Sequence, residues 1–339
     1  MLARENQLAK RDKLTHRQKR QVAQKQRQRL QNEHKIPSMS ELSDSKNGLI
    51  VSRYGEQADV IELQSKQKYR CYLRQNLGAP VAGDKVKFRL DPSNQGVVEA
   101  IYDRTSILNR PSPHQGLKPV VANINLVLVV TAPLPDFSAS LLDRYLVALR
   151  DANIETVIIA NKWDLEKEIV QQDIESQLKI YEALGYPVIK ISTKKESELT
   201  PIADLIRDKH CILVGQSGVG KSSIINQLFP GQNSLVNEVS ENSRLGQHTT
   251  TASQLFLFET SDGFIIDSPG IREFGLWHME PNTIANGFIE FEPYIGSCKF
   301  RDCKHVNEPG CNIIAAVKKG AITQQRWQNY CKIISAPEH

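Results

Sequence analysis

One stretch of the chain has the residue types and spacing of a phosphate-binding loop. Residues 215–222 match the pattern G-x-x-x-x-G-K-S and follow an apolar run that ends at Val214. Glycines let backbone N–H groups wrap phosphate oxygens, and the positive end of the following helix points at them. Lys221 is expected to reach the β- and γ-phosphates as a catalytic group, and Ser222 to ligate Mg²⁺. The predicted nucleotide contacts here are Gly215, Gln216, Ser217, Gly218, Val219, Gly220, Lys221, Ser222 and Ser223.

A carboxylate that can select the base stands earlier in the chain. Residues 161–164 read Asn-Lys-Trp-Asp directly after another apolar run. The ionised carboxylate of Asp164 can accept hydrogen bonds from the adjacent N1–H and N2–H₂ donors of guanine, a pair that adenine lacks. Residues 191–194, Ile-Ser-Thr-Lys at a further strand end, resemble the serine-rich loop of GTPases, and this resemblance implies that Ser192 lies beside the base; an ordinary Ser/Thr turn is the alternative. The predicted contacts of the guanine nucleotide in these segments are Asn161, Lys162, Trp163, Asp164 and Ser192.

Two further segments carry groups that a magnesium-bound nucleotide needs. Asp267 begins the pattern D-x-x-G at the end of an apolar run. Its carboxylate is expected to hold Mg²⁺ through water, while the N–H of Gly270 meets the γ-phosphate. Thr250 is the favoured Mg²⁺ ligand from the preceding loop, and its two neighbours in the run 249–251 stay open as alternatives.

The residue that orients the attacking water is less obvious. Ile271 follows the D-x-x-G glycine, and its side chain cannot orient water by hydrogen bonding. His248 is therefore the tentative catalytic candidate. A loop histidine that only stabilises local packing is the alternative.

Three cysteines and a histidine near the C-terminus have the spacing of a metal site. Cys298, Cys303, His305 and Cys311 form a Cys₃His set, which predicts one structural Zn²⁺ per chain with no open coordination position. Four unrelated reduced residues are the alternative. The other cysteines, 71, 211 and 331, are interpreted as packed thiols. Flanking segments 312–319 and 321–334 are predicted to be helical, with Lys318, Lys319 and Arg326 exposed.

Apolar runs alternate with helical patterns from residue 124 onward, as in an α/β domain with a largely parallel sheet. Ligands of such sheets bind at the carboxyl ends of the strands, where these motifs lie. The predicted strands are 124–130, 155–160, 186–191, 210–214, 254–258 and 264–266, and the predicted helices are 139–151, 169–184 and 221–229.

Five short strand patterns lie between residues 48 and 102, separated by glycine and proline. They favour a small OB-type β-barrel, which often binds oligonucleotides. Residues 85–90 alternate strictly, so Lys85, Lys87 and Arg89 are expected to be exposed on a cationic face opposite an apolar one. Lys66, Lys68, Arg70 and Arg74 add positive charge, although a solvated basic face without nucleic acid is the alternative.

The first 35 residues carry eleven Lys/Arg against three Asp/Glu, whereas the remaining chain sums to −3. This segment cannot bury a core, so it is predicted to be disordered or helical and to neutralise nucleic-acid phosphates, with a solubilising tail as the alternative. The sequence has no run of 18 apolar residues, so no membrane span is predicted. The six cysteines are too few and too unevenly placed for a disulfide scaffold, which fits the reducing cytoplasm.

The order of the motifs is itself informative. Ordinary GTPases place the phosphate loop before N-K-x-D, whereas here residues 161–164 precede 215–222. With the barrel and the Cys₃His set, the chain resembles the bacterial family of ribosome small-subunit-dependent GTPase A, a circularly permuted GTPase family. The resemblance covers roughly residues 45–335. It implies that Asn161 holds the base edge, that the Lys162 stem covers the base, and that the barrel and zinc region contact ribosomal RNA.

The sequence thus predicts a permuted α/β P-loop GTPase domain at 105–276, preceded by a basic tail at 1–42 and an OB-type barrel at 43–104. A helical zinc-binding domain follows at 277–339. The expected protein is a cytoplasmic monomer that binds GTP, GDP, the small ribosomal subunit and its rRNA, and that hydrolyses GTP during late subunit maturation. An RNA-binding scaffold that uses GTP only as a structural ligand is the alternative. A nucleotide-dependent transferase would need an acceptor-site motif, and none is found.

Overall fold

The computed structural model of the chain describes residues 24, 43–75, 77–92, 94–112, 116–165, 168–230, 254–258, 261–267, 276 and 278–335. The tail predicted at 1–42 lies outside the described residues apart from position 24. The chain divides into two compact units, one ending at Arg104 and the other beginning at Thr105. Among the described helices, none is long and apolar enough to cross a membrane.

The first unit is a closed five-stranded barrel, as the strand patterns predicted. Its strands pair in the order β1-β2-β3-β5-β4, and β4 pairs with β1 to close the ring. Ile50, Val60, Phe88 and Val98 point inward and are completely buried. The strands are β1 (Lys46–Tyr54), β2 (Gln57–Glu62), β3 (Lys68–Leu73), β4 (Lys85–Leu90) and β5 (Gly96–Ile101).

The expectation that the cations of β4 are exposed is wrong for Lys87. Its side chain is buried, whereas Lys85 is exposed and Arg89 is half-buried. Strand β4 lies between β1 and β5, and Lys87 has register partners on both sides, Asn47 on β1 and Ala100 on β5. The alternating pattern predicted which way the side chains point, but it did not predict how deeply Lys87 is buried.

The basic residues of the barrel are also paired with nearly buried carboxylates. Asp59 accepts from Lys68 at 3.0 Å and from Arg70 at 2.6 Å. Oε2 of Glu99 accepts a hydrogen bond from Nε of Arg89 at 3.0 Å, and Oε1 forms an ion pair with the Arg74 guanidinium at 3.2 Å. These carboxylates offset much of the positive charge that the sequence placed on the barrel surface.

The second unit is built on a six-stranded sheet in the order β10-β9-β8-β11-β13-β12. All neighbours are parallel except β12, which pairs antiparallel with β13 at the edge. The largely parallel sheet that the apolar runs predicted is therefore present. Its strands are β8 (Leu126–Thr131), β9 (Glu155–Ala160), β10 (Val188–Lys190), β11 (His210–Val214), β12 (Gln254–Leu257) and β13 (Phe264–Asp267).

A β-hairpin that the sequence patterns did not predict begins this unit. It consists of β6 (Ile107–Ser112) and β7 (Gly116–Ala122), which pair antiparallel. Pro111 and Pro119 lie inside these strands, and proline normally argues against a strand interior. A two-stranded ribbon tolerates them because each strand has an edge without a ladder partner in the described sheet.

Helices separate the strands and cover the sheet. Ser138 caps the first helix by accepting a hydrogen bond from the backbone N–H of Leu141 at 3.2 Å. Two 3₁₀ segments cover Glu196–Leu199 and Ile289–Tyr294. The described α-helices are α1 (Ala139–Asp151), α2 (Glu168–Ala183), α3 (Thr200–Ile206), α4 (Lys221–Leu228), α5 (Pro281–Asn286), α6 (Asn312–Lys318) and α7 (Gln324–Ile334).

The expected exposure of Arg326 is also wrong, because its side chain is only 2% exposed. Its guanidinium pairs with the carboxylate of Asp143 on α1 and with Glu290 at 2.6 Å and 3.0 Å. Its central carbon lies 4.5 Å from the ring centre of Phe288 and 5.3 Å from that of Tyr181. A buried charge needs such partners, and these tie the C-terminal helix α7 to α1 and α2.

Removing the guanidinium should leave two carboxylates buried without their cation. We expect Arg326→Met to lower the free energy of unfolding by about 3–5 kcal/mol. Lys332→Met, at an exposed position on the same helix, is the matched control and should change it by less than about 0.5 kcal/mol. Urea unfolding followed by circular dichroism measures both values. Equal midpoints for the two variants would contradict the importance of this ion cluster.

Candidate functional site

The carboxyl ends of four parallel strands, β8, β9, β11 and β13, lie side by side along one end of the sheet. The parallel register aligns Thr131 with Ala160, Val129 with Val214, and Leu213 with Asp267. The loops that follow these strands therefore emerge side by side, although they are far apart in the sequence. This edge is where the nucleotide-binding motifs were expected to lie.

The loop at 215–220 requires glycine at two positions, each for both its backbone conformation and its close contact. Gly215 has φ of +143°, and a Cβ there would lie 2.2 Å from the carbonyl oxygen of Val130. Gly220 has φ of +97°, and a Cβ there would lie 2.3 Å from Nδ2 of Asn161. The loop thus needs both the left-handed backbone and the close approach that only glycine permits.

Lys221 begins α4 and turns its side chain back over this loop. Its ammonium donates to the carbonyl oxygens of Gly215 at 2.8 Å and of Gln216 at 2.9 Å. The positive charge therefore lies on the same loop as the backbone N–H groups at the start of α4. This arrangement creates a cationic cradle suited to anionic phosphate oxygens.

The segment 161–164 contacts the phosphate loop directly. The Asn161 side-chain amide donates to the carbonyl oxygen of Val219 at 2.8 Å, and both residues are buried. The Lys162 ammonium donates to the carbonyl oxygens of Gly218 at 2.7 Å and of Leu134 at 2.9 Å. The structure therefore brings together two motifs that are more than 50 residues apart in the chain.

Asp164 lies beside Ser192 at the same edge. The Ser192 hydroxyl donates to Oδ1 of Asp164 at 2.6 Å, and the Lys194 ammonium lies 2.7 Å from Oδ2. The Lys194 ammonium and then the Ser192 hydroxyl lower the pKa of Asp164 to about 2. The carboxylate is therefore ionised at neutral pH and can accept hydrogen bonds from two neighbouring donors.

Two residues of this group were not predicted as site residues. Lys194 closes the stretch 191–194, and its position within a serine-rich loop was the only signal for it in the sequence. Glu198 accepts a hydrogen bond from the backbone N–H of Ser192 at 2.7 Å. No local pattern marks Glu198, because its role depends on how the 3₁₀ segment folds back on the loop.

Asp267 ends β13 next to the start of α4. The Ser222 hydroxyl hydrogen-bonds to the Asp267 carboxylate. Burial raises the pKa of Asp267, and the nearby Lys221 charge and Ser222 hydroxyl offset part of that rise. Two of the expected Mg²⁺-binding groups therefore meet at the phosphate cradle. The expected residues of the run 248–251 and of the D-x-x-G segment after Asp267, namely His248, Thr249, Thr250, Thr251, Gly270 and Ile271, lie outside the described residues.

The predicted metal ligands also converge. Their donor atoms all lie within 4.8 Å of one another. Nδ1 of His305 is 3.5 Å from Sγ of Cys298 and 3.4 Å from Sγ of Cys311, and these two sulfurs are 3.8 Å apart. A tetrahedral zinc ion with sulfur bonds of about 2.3 Å holds its ligands about 3.8 Å apart. The donor set, which includes Cys303, therefore fits a closed tetrahedral metal site.

Helix α7 supports the loop that carries these ligands. Nε1 of Trp327 donates to the carbonyl oxygen of His305 at 2.8 Å, and the Tyr330 hydroxyl donates to that of Lys304 at 2.8 Å. The Glu308 carboxylate accepts from the backbone N–H groups of Lys304 and Val306 at 3.0 Å and 2.9 Å. Burial lowers the pKa of His305, which favours the neutral imidazole that binds metals.

Comparison with known proteins gives a consistent result. The family described as RsgA GTPase matches residues 101–277. A small ribosomal subunit biogenesis GTPase RsgA 1 of Vibrio parahaemolyticus is 43% identical over 337 residues, which cover 97% of this chain and 95% of that protein. The small ribosomal subunit biogenesis GTPase RsgA of Pectobacterium carotovorum is 44% identical, covering 96% and 95%.

Two solved structures share the fold. YjeQ from Thermotoga maritima has a TM-score of 0.69 and 29% identity, covering 86% of this chain and all of that chain. YloQ, described as a circularly permuted GTPase, has a TM-score of 0.64 and 26% identity, covering 90% of this chain and all of that chain. The predicted fold class, a permuted GTPase domain with a barrel and a Cys/His cluster, is confirmed. This chain belongs to the RsgA GTPase family.

Proposed function

We propose that this protein binds the small ribosomal subunit in the cytoplasm and hydrolyses GTP to GDP in a subunit-stimulated manner during late subunit maturation. The observation that carries the proposal is the direct contact between the loop of the base-reading carboxylate and the phosphate loop, where Nζ of Lys162 lies 2.7 Å from the Gly218 carbonyl oxygen. Relatives named small ribosomal subunit biogenesis GTPases support the choice of partner. The protein acts as a monomer in this proposal.

The recognition of the nucleotide divides between the two loops. Asp164, held by Ser192, accepts from the guanine edge, while Asn161, Lys162 and Trp163 form the support of the base. The backbone N–H groups of 215–223 surround the phosphates. Adenine would leave the Asp164 carboxylate without matching donors, so the pocket favours guanine nucleotides over ATP.

The chemistry relies on positioning and on stabilising the charge that develops on the γ-phosphate. Lys221 neutralises charge on the β- and γ-phosphates. Ser222, Asp267 and Thr250 would hold Mg²⁺, which supplies further positive charge at the phosphates when bound. The N–H of Gly270 donates to the γ-phosphate. His248 orients water for in-line attack, since Ile271 has no hydrogen-bonding group.

The regions outside the GTPase domain bind RNA and, at the zinc cluster, stabilise the fold. Cys298, Cys303, His305 and Cys311 would hold one structural Zn²⁺, because they form a closed set without an open position. The tail at 1–42, the barrel at 43–104 and the zinc region at 277–339 contact rRNA, while 105–276 forms the GTPase domain. The tail supplies most of the phosphate-neutralising charge, because the barrel cations are largely paired with carboxylates.

A methyl group at Gly220 should weaken nucleotide binding without unfolding the protein. Its Cβ would collide with the Asn161 amide, so the two loops would separate. We expect Gly220→Ala to weaken GDP affinity at least about tenfold, as measured by calorimetry. Gly185→Ala is the matched control, since Gly185 also has positive φ, of +90°, but its added Cβ would meet nothing within 4 Å. Equal losses in both variants would refute the importance of the loop contact.

Metal analysis tests the zinc assignment. We expect the purified protein to contain about one zinc per chain by mass spectrometry of metals. Cys303→Ser should lose most of it and unfold at a lower temperature, because metal binding contributes to folding. Cys331→Ser, which changes a cysteine on α7 outside the cluster, should retain the metal. Another metal at full occupancy, or none, would rule out zinc.

GTP turnover with and without small ribosomal subunits tests the function itself. We expect subunits to raise kcat at least about tenfold, because an arginine in trans or the ribosomal RNA itself completes the site. His248→Ala should retain GTP affinity and lose at least about tenfold in stimulated kcat. If small subunits do not raise kcat, the result would favour the scaffold alternative. A stimulated kcat in His248→Ala equal to that of the natural protein would remove the histidine from the mechanism.

A further inference from the structure

The Lys194 ammonium forms an ion pair with the Asp164 carboxylate, which is proposed to bind the guanine edge. Its ammonium is 2.7 Å from Oδ2 of Asp164, while the Ser192 hydroxyl occupies Oδ1 at 2.6 Å. Both carboxylate oxygens therefore already have a donor from within the protein. A guanine that enters this site must share or replace those partners.

The two donors differ in how firmly the fold holds them. Ser192 is only 2% exposed. Its backbone N–H donates to Glu198 at 2.7 Å, and its hydroxyl accepts from the backbone N–H of Lys194 at 3.1 Å. The Lys194 side chain, in contrast, is 73% exposed, and its described polar contact is the ion pair with Asp164. Ser192 is thus a fixed support, whereas the lysine ammonium can move into solvent at small cost.

The chemistry of the base makes this difference important. N1–H and N2–H₂ of guanine point in the same direction and need both oxygens of one carboxylate. We propose that Lys194 competes with guanine for the Asp164 carboxylate, so that it weakens the binding of guanine nucleotides and reduces their preference over hypoxanthine nucleotides. This inference rests on the proposed role of Asp164 as the guanine reader.

The expected effect follows from the exposure of the pair. The ammonium end of the pair is 73% exposed although Asp164 is only 15% exposed, so removing the ammonium should change affinity by about two- to fivefold. Inosine diphosphate lacks the 2-amino group and needs one acceptor fewer, so Lys194 can stay on the other oxygen when it binds. Removing the ammonium should therefore help GDP more than IDP, and the preference for GDP should rise.

Lys194→Met tests the competition because it keeps a long apolar stem but removes the charge. We expect it to tighten GDP binding about two- to fivefold in calorimetry and to tighten IDP binding less. Lys194→Arg should not tighten GDP binding, since it keeps a cation that can pair with the Asp164 carboxylate. Lys209→Met is the matched control. It removes a surface ion pair with Glu155, at 2.9 Å, near the amino ends of the strands and so at the opposite end of the sheet. It should change neither the GDP affinity nor the IDP affinity.

The ionic-strength dependence gives a second measurement. Salt screens an exposed ion pair, so the GDP affinities of Lys194→Met and of the natural protein should converge between low and high salt. Unchanged or weaker GDP binding by Lys194→Met at low salt would overturn the inference, and so would an equal gain for GDP and IDP.

Asp164→Asn separates this inference from the function on which it rests. If Asp164→Asn keeps the natural affinity for GDP and its preference over IDP, the carboxylate does not read guanine and both proposals fail. If Asp164→Asn loses that preference while Lys194→Met changes nothing, only the competition fails. If Asp164→Asn loses the preference for GDP and Lys194→Met binds GDP more tightly, both the guanine-reading role and the competition are supported.

Discussion

The site depends on the hydrogen bond between the Asn161 amide and the carbonyl oxygen of Val219. This bond requires that residue 220 have no side chain, because a Cβ there would lie 2.3 Å from the same amide. It also fixes Lys162 beside Gly218, so the loop that carries Asp164 cannot move independently of the phosphate loop. In the proposed function, base recognition and phosphate binding therefore both depend on this one contact between the two loops.

The sheet explains why the order of the motifs along the chain can be permuted. The parallel ladders of β8 with β9 and with β11 place the ends of these strands side by side regardless of which is made first. The functional geometry depends on ladder register, and register does not depend on where the chain starts. Permutation changes instead what is attached to each end, so that β13, which ends at Asp267, now leads toward the C-terminal region.

The loops that the structure brings together at the strand ends could be located in the sequence because each motif is local. The run 215–222 and the segment 161–164 show their chemistry in a few consecutive residues, and strands at 85–90, 155–160 and 210–214 were placed with their observed bounds. Arg326 could not be placed in this way. On an amphipathic helix it looks like any surface cation, and its partner Asp143 lies 183 residues away. Lys87 likewise needed the closed barrel to show its burial.

The ion pair between Arg326 and Asp143 also links the region of the Cys₃His cluster to the nucleotide site. On α7, Arg326 reaches Asp143, whereas the neighbouring Trp327 donates to the carbonyl oxygen of His305. On α1, Asp143 lies just over one turn from the capping Ser138, and the loop before that cap supplies the Leu134 carbonyl that binds Lys162. A shift of α1 would disturb the buried charge on Asp143 directly and the Lys162 support through the adjoining loop that carries Leu134. The fold therefore couples the two regions through packing that is costly to break.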